Sequence, residues 1–267
     1  KSKNSIRYNP LKITKKDLIE KLGSAVSESE ICEDSLVLNK LNLDSSLFTK
    51  GYYIVQDEAS ALVASSIGLP LDKKYKILDT CAAPGGKSLH IASKYFNSSL
   101  ISCDKYIHKL KLIEDNKEKL GITNIEVKEQ DATLNNTSFN NKFDIVICDV
   151  PCSGIGVIKN KPEIKYKITN SYVEDIAKLQ YDILDNSKHY VVQEGILMYS
   201  TCTIDKRENI KNIEKFLKEN KDFSLESISL NNSIVKTREN GVLEILPDEY
   251  SCDGFFIAKL KKTEEKC

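Results

Sequence analysis

The sequence has no excess of either charge. Lysine plus arginine and aspartate plus glutamate number 39 each in 267 residues, so the total gives no support to wholesale coating of nucleic acid, while local patches stay open. Arginine is scarce, confined to Arg7, Arg207 and Arg238. No secretory leader and no long apolar span occur, which predicts a soluble cytoplasmic protein with no membrane partner. Paired C-x-x-C motifs are missing. The nearest approach, Cys148-x-x-x-Cys152, has no His or further Cys at matching spacing, so no metal is expected. The eight cysteines are irregularly spaced and several lie in apolar runs, which predicts reduced thiols in place of a disulfide framework. Two glycine signatures are absent as well. There is no G-x-G-x-x-G, and Gly86-Lys87-Ser88 ends a P-loop pattern whose first glycine is replaced by Cys81. A P-loop ATPase is thereby weakened. Lys1 stands where an initiator methionine would, so the chain reads as a piece of a longer protein.

What is present has an α/β rhythm. The length suits one large α/β domain, or one of about 180 residues with a small companion. Strands are expected at 75–79, 99–103, 124–128, 143–149, 195–200 and 254–260. Helices are expected near 86–96, 106–120, 172–192 and 206–219, with helical spacing of small and apolar residues from Gln56 to Ile67. Strands alternating with helices indicate a doubly wound, largely parallel sheet. Before it, Ile6-Arg-Tyr-Asn9 is strand-like, and Thr14-Lys-Lys-Asp17 is a capping box opening a helix that ends near Gly23. A further apolar alternation runs from Ser35 to Leu41. This small αβ appendage carries lysines at 1, 3, 12, 15, 16 and 21, which suit either a solvated face or a partner surface.

The run Ile77-Leu-Asp-Thr-Cys-Ala-Ala-Pro-Gly-Gly-Lys-Ser88 organises the rest. A buried strand ends in an acid, turns at Pro84-Gly85-Gly86 and opens into a helix, which is the nucleotide-binding corner of a doubly wound sheet. Acids then recur at strand ends: Asp79, Asp104, Asp131 and Asp149. Asp104 stands near the roughly 20-residue spacing at which an acid meets ribose hydroxyls, and Asp131 is placed for an adenine amino group. A nucleoside without a phosphate chain, recognised by acids, points to S-adenosylmethionine, whose sulfonium is cationic. The expected cofactor site is Cys81, Ala82, Ala83, Pro84, Gly85, Gly86 and Lys87 with Asp104, Asp131 and Asp149.

Two cysteines close neighbouring strands, in Asp149-Val-Pro-Cys-Ser-Gly154 and Ser200-Thr-Cys-Thr203, which brings Cys152 and Cys202 beside the cofactor crevice. Methylating carbon 5 of cytosine needs a thiolate: sulfur adds to carbon 6, carbon 5 becomes nucleophilic, a base removes the carbon 5 proton, and sulfur leaves. A free thiol has a pKa of about 8.5 and must be lowered by positive charge or a helix N-terminus. Cys202 precedes a helix expected from about Asp205, and Lys87 supplies charge. Cys103 and Cys148, inside strand runs, read as small buried residues, and Cys32, Cys252 and Cys267 carry no signal.

Together, Asp79-Thr-Cys-Ala-Ala-Pro-Gly-Gly-Lys87, Asp149-Val-Pro-Cys-Ser-Gly154 and Ser200-Thr-Cys202 resemble the RsmB/NSUN (Nol1/Nop2/Sun) family of RNA cytosine-C5 methyltransferases, most of all the bacterial RsmB (Sun/Fmu) enzymes of 16S ribosomal RNA. The resemblance runs from Ile6-Arg-Tyr-Asn9 through Val55-Gln-Asp-Glu-Ala-Ser60 to Asp253-Gly-Phe-Phe256. It implies a Rossmann-like S-adenosyl-L-methionine-dependent methyltransferase domain with a mostly parallel seven-stranded sheet over residues 51–267. A small α+β RRM-like domain that contacts RNA would precede it over residues 1–50. It also implies that Cys202 is the nucleophile, that Cys152 assists release, and that Asp149 holds the base and the cofactor's methionine end, with Lys87 as the charge nearby. The partner would be 16S rRNA, offering an unstacked cytosine to a monomeric enzyme, and Lys159, Lys161, Lys165 and Lys167 are candidate phosphate contacts. The chain departs from the family pattern at Val150, at Arg207 before Glu208-Asn209, in lacking a His in 159–166, and in having no N-terminal NusB-like domain. The competing readings are a DNA cytosine methyltransferase using Cys152 and a catalytically silent RNA-binding assembly factor.

Overall fold

The computed structural model describes residues 4–40, 45–231, 233–237 and 240–264. Lys1, Lys3, Leu41, Arg238 and Cys267, named above, lie outside them. The first part of the chain runs β1 (Ser5–Tyr8), α1 (Lys15–Leu22), β2 (Val26–Glu28), β3 (Ser35–Leu38), α2 (Ser45–Thr49) and β4 (Tyr53–Val55). Its strands pair antiparallel in the order β2-β3-β1-β4. α1 starts where the sequence marks it, because Thr14 Oγ1 accepts the Asp17 N–H. Leu18 then packs with Ile6, Val26, Leu36, Leu47 and Tyr53 in a core of its own. Tyr53 completes that core and β4 pairs with β1, so the small sheet continues past the boundary expected at residue 50.

The larger part begins with α3 (Glu58–Ile67), capped by Asp57. It continues through β5 (Lys76–Asp79), α4 (Gly86–Lys94), β6 (Ser99–Asp104), α5 (Ile107–Leu120), β7 (Ile125–Glu129), β8 (Phe143–Asp149), α6 (Asn170–Ser187) and β9 (Val191–Thr201). It closes with α7 (Ile210–Glu219), β10 (Phe223–Leu225), β11 (Val242–Ile245), α8 (Pro247–Tyr250) and β12 (Phe255–Lys262). The strand order is β10-β12-β9-β8-β5-β6-β7. From β9 to β7 the strands are parallel, and β12 runs antiparallel on β9. This is the Rossmann-like α/β fold. Where seven strands were expected there are eight, because β10 and β11 share one edge of β12: Leu225 pairs with Leu260, and Ile245 pairs with Phe255. β8 shows why the parallel strands read as apolar runs. Ile145, Val146, Ile147 and Cys148 are all fully buried, as both faces of the sheet are covered.

Two helix limits are corrected by local chemistry. The helix expected at 172–192 stops at Ser187. After one tight turn the β-branched Val191 and Val192 open β9, with Val191 beside Phe143. The helix expected from 206 begins at Ile210. Asp205 first makes a turn, accepting the Arg207 N–H and its guanidinium, so Cys202 does not sit at a helix N-terminus. The chain reverses its direction of travel across the sheet between β5 and β8. A crevice forms at that point beyond the carboxyl ends of the strands.

Candidate active site

β5 delivers its acid to the interior. Asp79 is fully buried, accepts the Cys81 N–H at 3.2 Å and the Ser88 hydroxyl at 2.5 Å, and so ties the strand end to the first turn of α4. Burial, with Asp149 adding to it, pushes the Asp79 carboxyl up to about 7 despite the Ser88 bond. Gly85 turns the chain at φ 102°, a left-handed conformation that glycine adopts without strain, and α4 starts at Gly86. Ala82 donates its N–H to Cys103 O at 2.7 Å. Ala82, Pro84, Gly85 and Gly86 therefore build the turn, while Cys81 and Ala83 face the crevice.

The crevice is a cleft of about 400 Å³, lined by Cys81, Ala83, Asp104, Asp131, Asp149, Cys152 and Cys202 among others. That volume lies within the ~300–1,000 Å³ typical of small-molecule sites. Asp104 accepts the N–H groups of Ala83 and Tyr106, one on each oxygen, at 3.2 and 3.1 Å. Both oxygens keep lone pairs for a diol. Asp131 is held by Lys105 at 2.8 Å and by Thr133, and these bonds bring its carboxyl down to about 2. The structure thus brings together the acids that the sequence spaces 27 and 18 residues apart. Three carboxylates line the cleft with Lys105 and Lys109, and Lys105 is taken up by Asp131. The acids suit a cationic nucleoside, and S-adenosylmethionine fits these residues. Among the described residues, no group of His, Cys, Asp or Glu is arranged to hold a metal ion.

At the other end of the cleft the two cysteines meet. Cys152 follows β8 and Cys202 follows β9, and their Sγ atoms stand 3.0 Å apart as free thiols. Lys87 lies beside them, with Nζ 2.6 Å from Asp149 Oδ2 and 5.2 Å from the centre of the Phe255 ring. Ser200 donates to the other Asp149 oxygen at 2.7 Å. Burial alone would lower the Lys87 pKa, but Asp149 outweighs it and the net shift is upward. The contact with Cys152, in which either sulfur can be the donor, lowers the Cys202 pKa. Burial and Asp149 oppose this, and Lys87 and Lys161 assist it. Cys152 moves the opposite way, through the same shared bond and then through burial. Of the two thiols, Cys202 is the one whose ionisation is favoured. Burial pushes Cys103 and Cys148 up to about 12 and leaves both inert, as expected of small core residues.

Some site contacts cannot be read from the sequence. Gly156 and Gly254 let the two cysteine loops touch: a Cβ on Gly156 would lie 2.2 Å from Gly254 O and 2.8 Å from Cys202 O. Glu208 is wholly buried and collects donors from both loops and from α6. Beyond Thr203, its partners Ser153 and Gln180 are 55 and 28 residues distant in sequence, so local spacing does not reveal the cluster. Lys159, Lys161, Lys165 and Lys167 are all exposed on the segment that follows the Cys152 loop. Ile164 holds that segment against Gly154.

The chain resembles known proteins in sequence and in fold. The sequence profile of the family described as 16S rRNA methyltransferase RsmB/F matches residues 67–261. The chain is 37% identical over 270 residues to the probable ribosomal RNA small subunit methyltransferase B of Bacillus subtilis (strain 168), covering 97% of this chain and 60% of that protein. It is 27% identical over 276 residues to ribosomal RNA small subunit methyltransferase F of Escherichia coli O9:H4 (strain HS), covering 98% and 57% respectively. The chain therefore spans less than two thirds of the length of these curated relatives. In three dimensions it matches the crystal structure of PH0851 with a TM-score of 0.87 at 32% identity, over 98% of this chain and 60% of the other. The structure of NSun6 from Pyrococcus horikoshii with SFG matches at 0.81 and 22% identity, over 98% and 91%, which is a likeness of fold.

Proposed function

The chain belongs to the 16S rRNA methyltransferase RsmB/F family, and from that membership we propose that it methylates carbon 5 of a cytosine in RNA, with small-subunit rRNA as substrate. The observation that carries the reading is the thiol pair: Cys152 and Cys202, 3.0 Å apart, beside the Lys87–Asp149 ion pair at one end of the acidic cleft. S-adenosylmethionine supplies the methyl group when bound, held by Cys81 and Ala83 of the turn and by Asp104, Asp131 and Asp149. The Cys202 thiolate adds to carbon 6 of the cytosine and makes carbon 5 nucleophilic. Asp149 is assigned the hold on the base, and Lys87 fixes its carboxylate. Once Cys202 has given up its charge to the new bond, Cys152 loses its proton to solvent more readily. As a thiolate it then takes the proton from carbon 5, and Cys202 is expelled as the thiolate it began as. Each turnover replaces the carbon 5 hydrogen by a methyl group and leaves S-adenosylhomocysteine and one proton.

The cytosine must leave its stack to reach the sulfur, which costs a few kcal/mol and least in a loop or single strand. The exposed Lys159, Lys161, Lys165 and Lys167 are the proposed phosphate contacts. The β1-α1-β2-β3-α2-β4 order and the four-stranded sheet support reading the small unit as RRM-like and RNA-contacting. The enzyme is proposed to act as a cytoplasmic monomer. Among the described residues no helix is long and apolar enough to cross a membrane. The test is transfer of labelled methyl groups to small-subunit rRNA, followed by digestion to nucleosides. Label in 5-methylcytidine supports the reading, and label in the ribose or on an exocyclic nitrogen rejects it.

A further inference from the structure

Glu208 contacts neither the cleft nor the two sulfur atoms, yet it is fully buried between the elements that carry them. Its Oε2 accepts the Ser153 N–H at 2.8 Å and the Gln180 amide at 2.8 Å. Its Oε1 accepts the Ser153 hydroxyl at 2.5 Å and the Thr203 hydroxyl at 3.2 Å. Ser153 follows Cys152 directly and Thr203 follows Cys202 directly, so one carboxyl group holds the residue next to each thiol. Gln180 of α6 also donates to Pro151 O at 2.9 Å, closing the far side of the Cys152 loop. The adjacent Arg207 does not neutralise the group, since its guanidinium is forked onto Asp205. A buried carboxylate met by neutral donors is costly and would be dispensable if packing were its only role.

We propose that Glu208 is the positioning residue of the thiol pair: its buried carboxylate fastens the Cys152 loop to the Cys202 strand end and makes Cys152 the thiol that keeps its proton. The charges facing the two sulfurs divide accordingly. Cys152 faces Glu208 and Cys202, with the Tyr199 hydroxyl near, while Cys202 faces Asp149 from β8, Lys87 from α4 and Lys161 from the exposed segment. Each sulfur has one carboxylate neighbour, Glu208 for Cys152 and Asp149 for Cys202, but the cations Lys87 and Lys161 face Cys202. This assignment rests on Cys202 being the nucleophile, but it concerns thiol chemistry that can be read without RNA.

The test is site-resolved alkylation of the intact chain with iodoacetamide across pH 6–9, read by peptide mass spectrometry. Wild type is expected to react at Cys202 in preference to Cys152. In Glu208→Gln the amide oxygen can keep the Ser153 N–H and Gln180 bonds while its NH₂ faces the two hydroxyls, so geometry persists and charge is lost. The preference for Cys202 should then narrow by about tenfold, the change that one pKa unit carries. Ser153→Ala, which removes a single bond to Glu208, should narrow it in the same direction by less, and it covers the case in which Glu208→Gln does not fold. Wild-type selectivity in both variants overturns the proposal. Methyl-transfer assays on the same samples separate the two readings. If selectivity depends on Glu208 but wild type transfers no methyl group to RNA, the reaction is wrongly assigned and the positioning role stands. If wild type methylates RNA but selectivity ignores Glu208, the reverse holds.

Discussion

Replacing Lys87 by methionine removes the cation from the centre of the site and leaves its volume nearly unchanged. The ammonium stands 2.6 Å from Asp149, and the two side chains are 16% and 24% exposed. Exposed ion pairs contribute about 0–1 kcal/mol, and breaking a fully buried one costs about 3–5 kcal/mol. This pair is mostly buried, and Asp149 keeps its Ser200 bond at 2.7 Å, so Lys87→Met should destabilise by about 2–3 kcal/mol. For a chain of this size that lowers the melting temperature by about 4–12 °C. The loss arises from an unpaired carboxylate, so Lys87→Met combined with Asp149→Asn should recover about half of it. The same substitution withdraws a charge that lowers the Cys202 pKa, so its alkylation should shift to higher pH. Circular dichroism melts and an alkylation–pH curve measure both effects. A single variant that melts within about 2 °C of wild type, with an unmoved alkylation curve, would refute the ion pair as the source of either property.

Other perturbations have equally definite outcomes. Asp104→Ala removes a carboxylate whose hydrogen bonds to hydroxyls are worth about 1.5–3 kcal/mol, so calorimetry should show S-adenosylmethionine binding weakened at least about tenfold. Gly156→Ala forces a methyl group to within 2.2 Å of Gly254 O. It should cost about 2–3 kcal/mol in urea unfolding and abolish turnover, because the same contact aligns the Cys202 loop. Asp79 has its folded pKa raised by burial to about 7, against about 3.9 when unfolded. Between those values the unfolded chain releases a proton that the folded one keeps, so stability is full below the lower value and falls as pH rises through the upper. Asp79→Asn can keep both partners, and should be more stable than wild type at pH 8, with the gain vanishing near pH 4.

The corner from Ile77 to Ser88 was legible because its signals are local: an apolar strand, an acid, a glycine turn and a helix lie within twelve residues. The acids and cysteines followed from the rule that a parallel sheet gathers its strand ends. What escaped depends on contact between distant segments. Glu208 enters the sequence reading only within the Glu208-Asn209 pattern after Arg207, with no role, and its partners Ser153 and Gln180 come from other elements. The close approach of Gly156 to Gly254 is likewise a product of the fold. The helix limit at Ile210 was misplaced because the turn made by Asp205 and Arg207 resembles a first helical turn. The short strands β4, β10 and β11 each have three or four residues, too few for alternation to stand out.

The central claim is that Cys202 attacks and Cys152 resolves, and the most direct measurement is covalent trapping. Small-subunit rRNA carrying 5-fluorocytidine cannot lose a carbon 5 proton after methyl transfer, so an adduct accumulates on the attacking sulfur. Mixed with S-adenosylmethionine, wild type should give a protein–RNA band that survives denaturation and maps to Cys202. Cys152→Ala should still form it, and should also trap unmodified RNA that wild type releases. Cys202→Ala should form none. An adduct that persists in Cys202→Ala and disappears in Cys152→Ala would contradict the account.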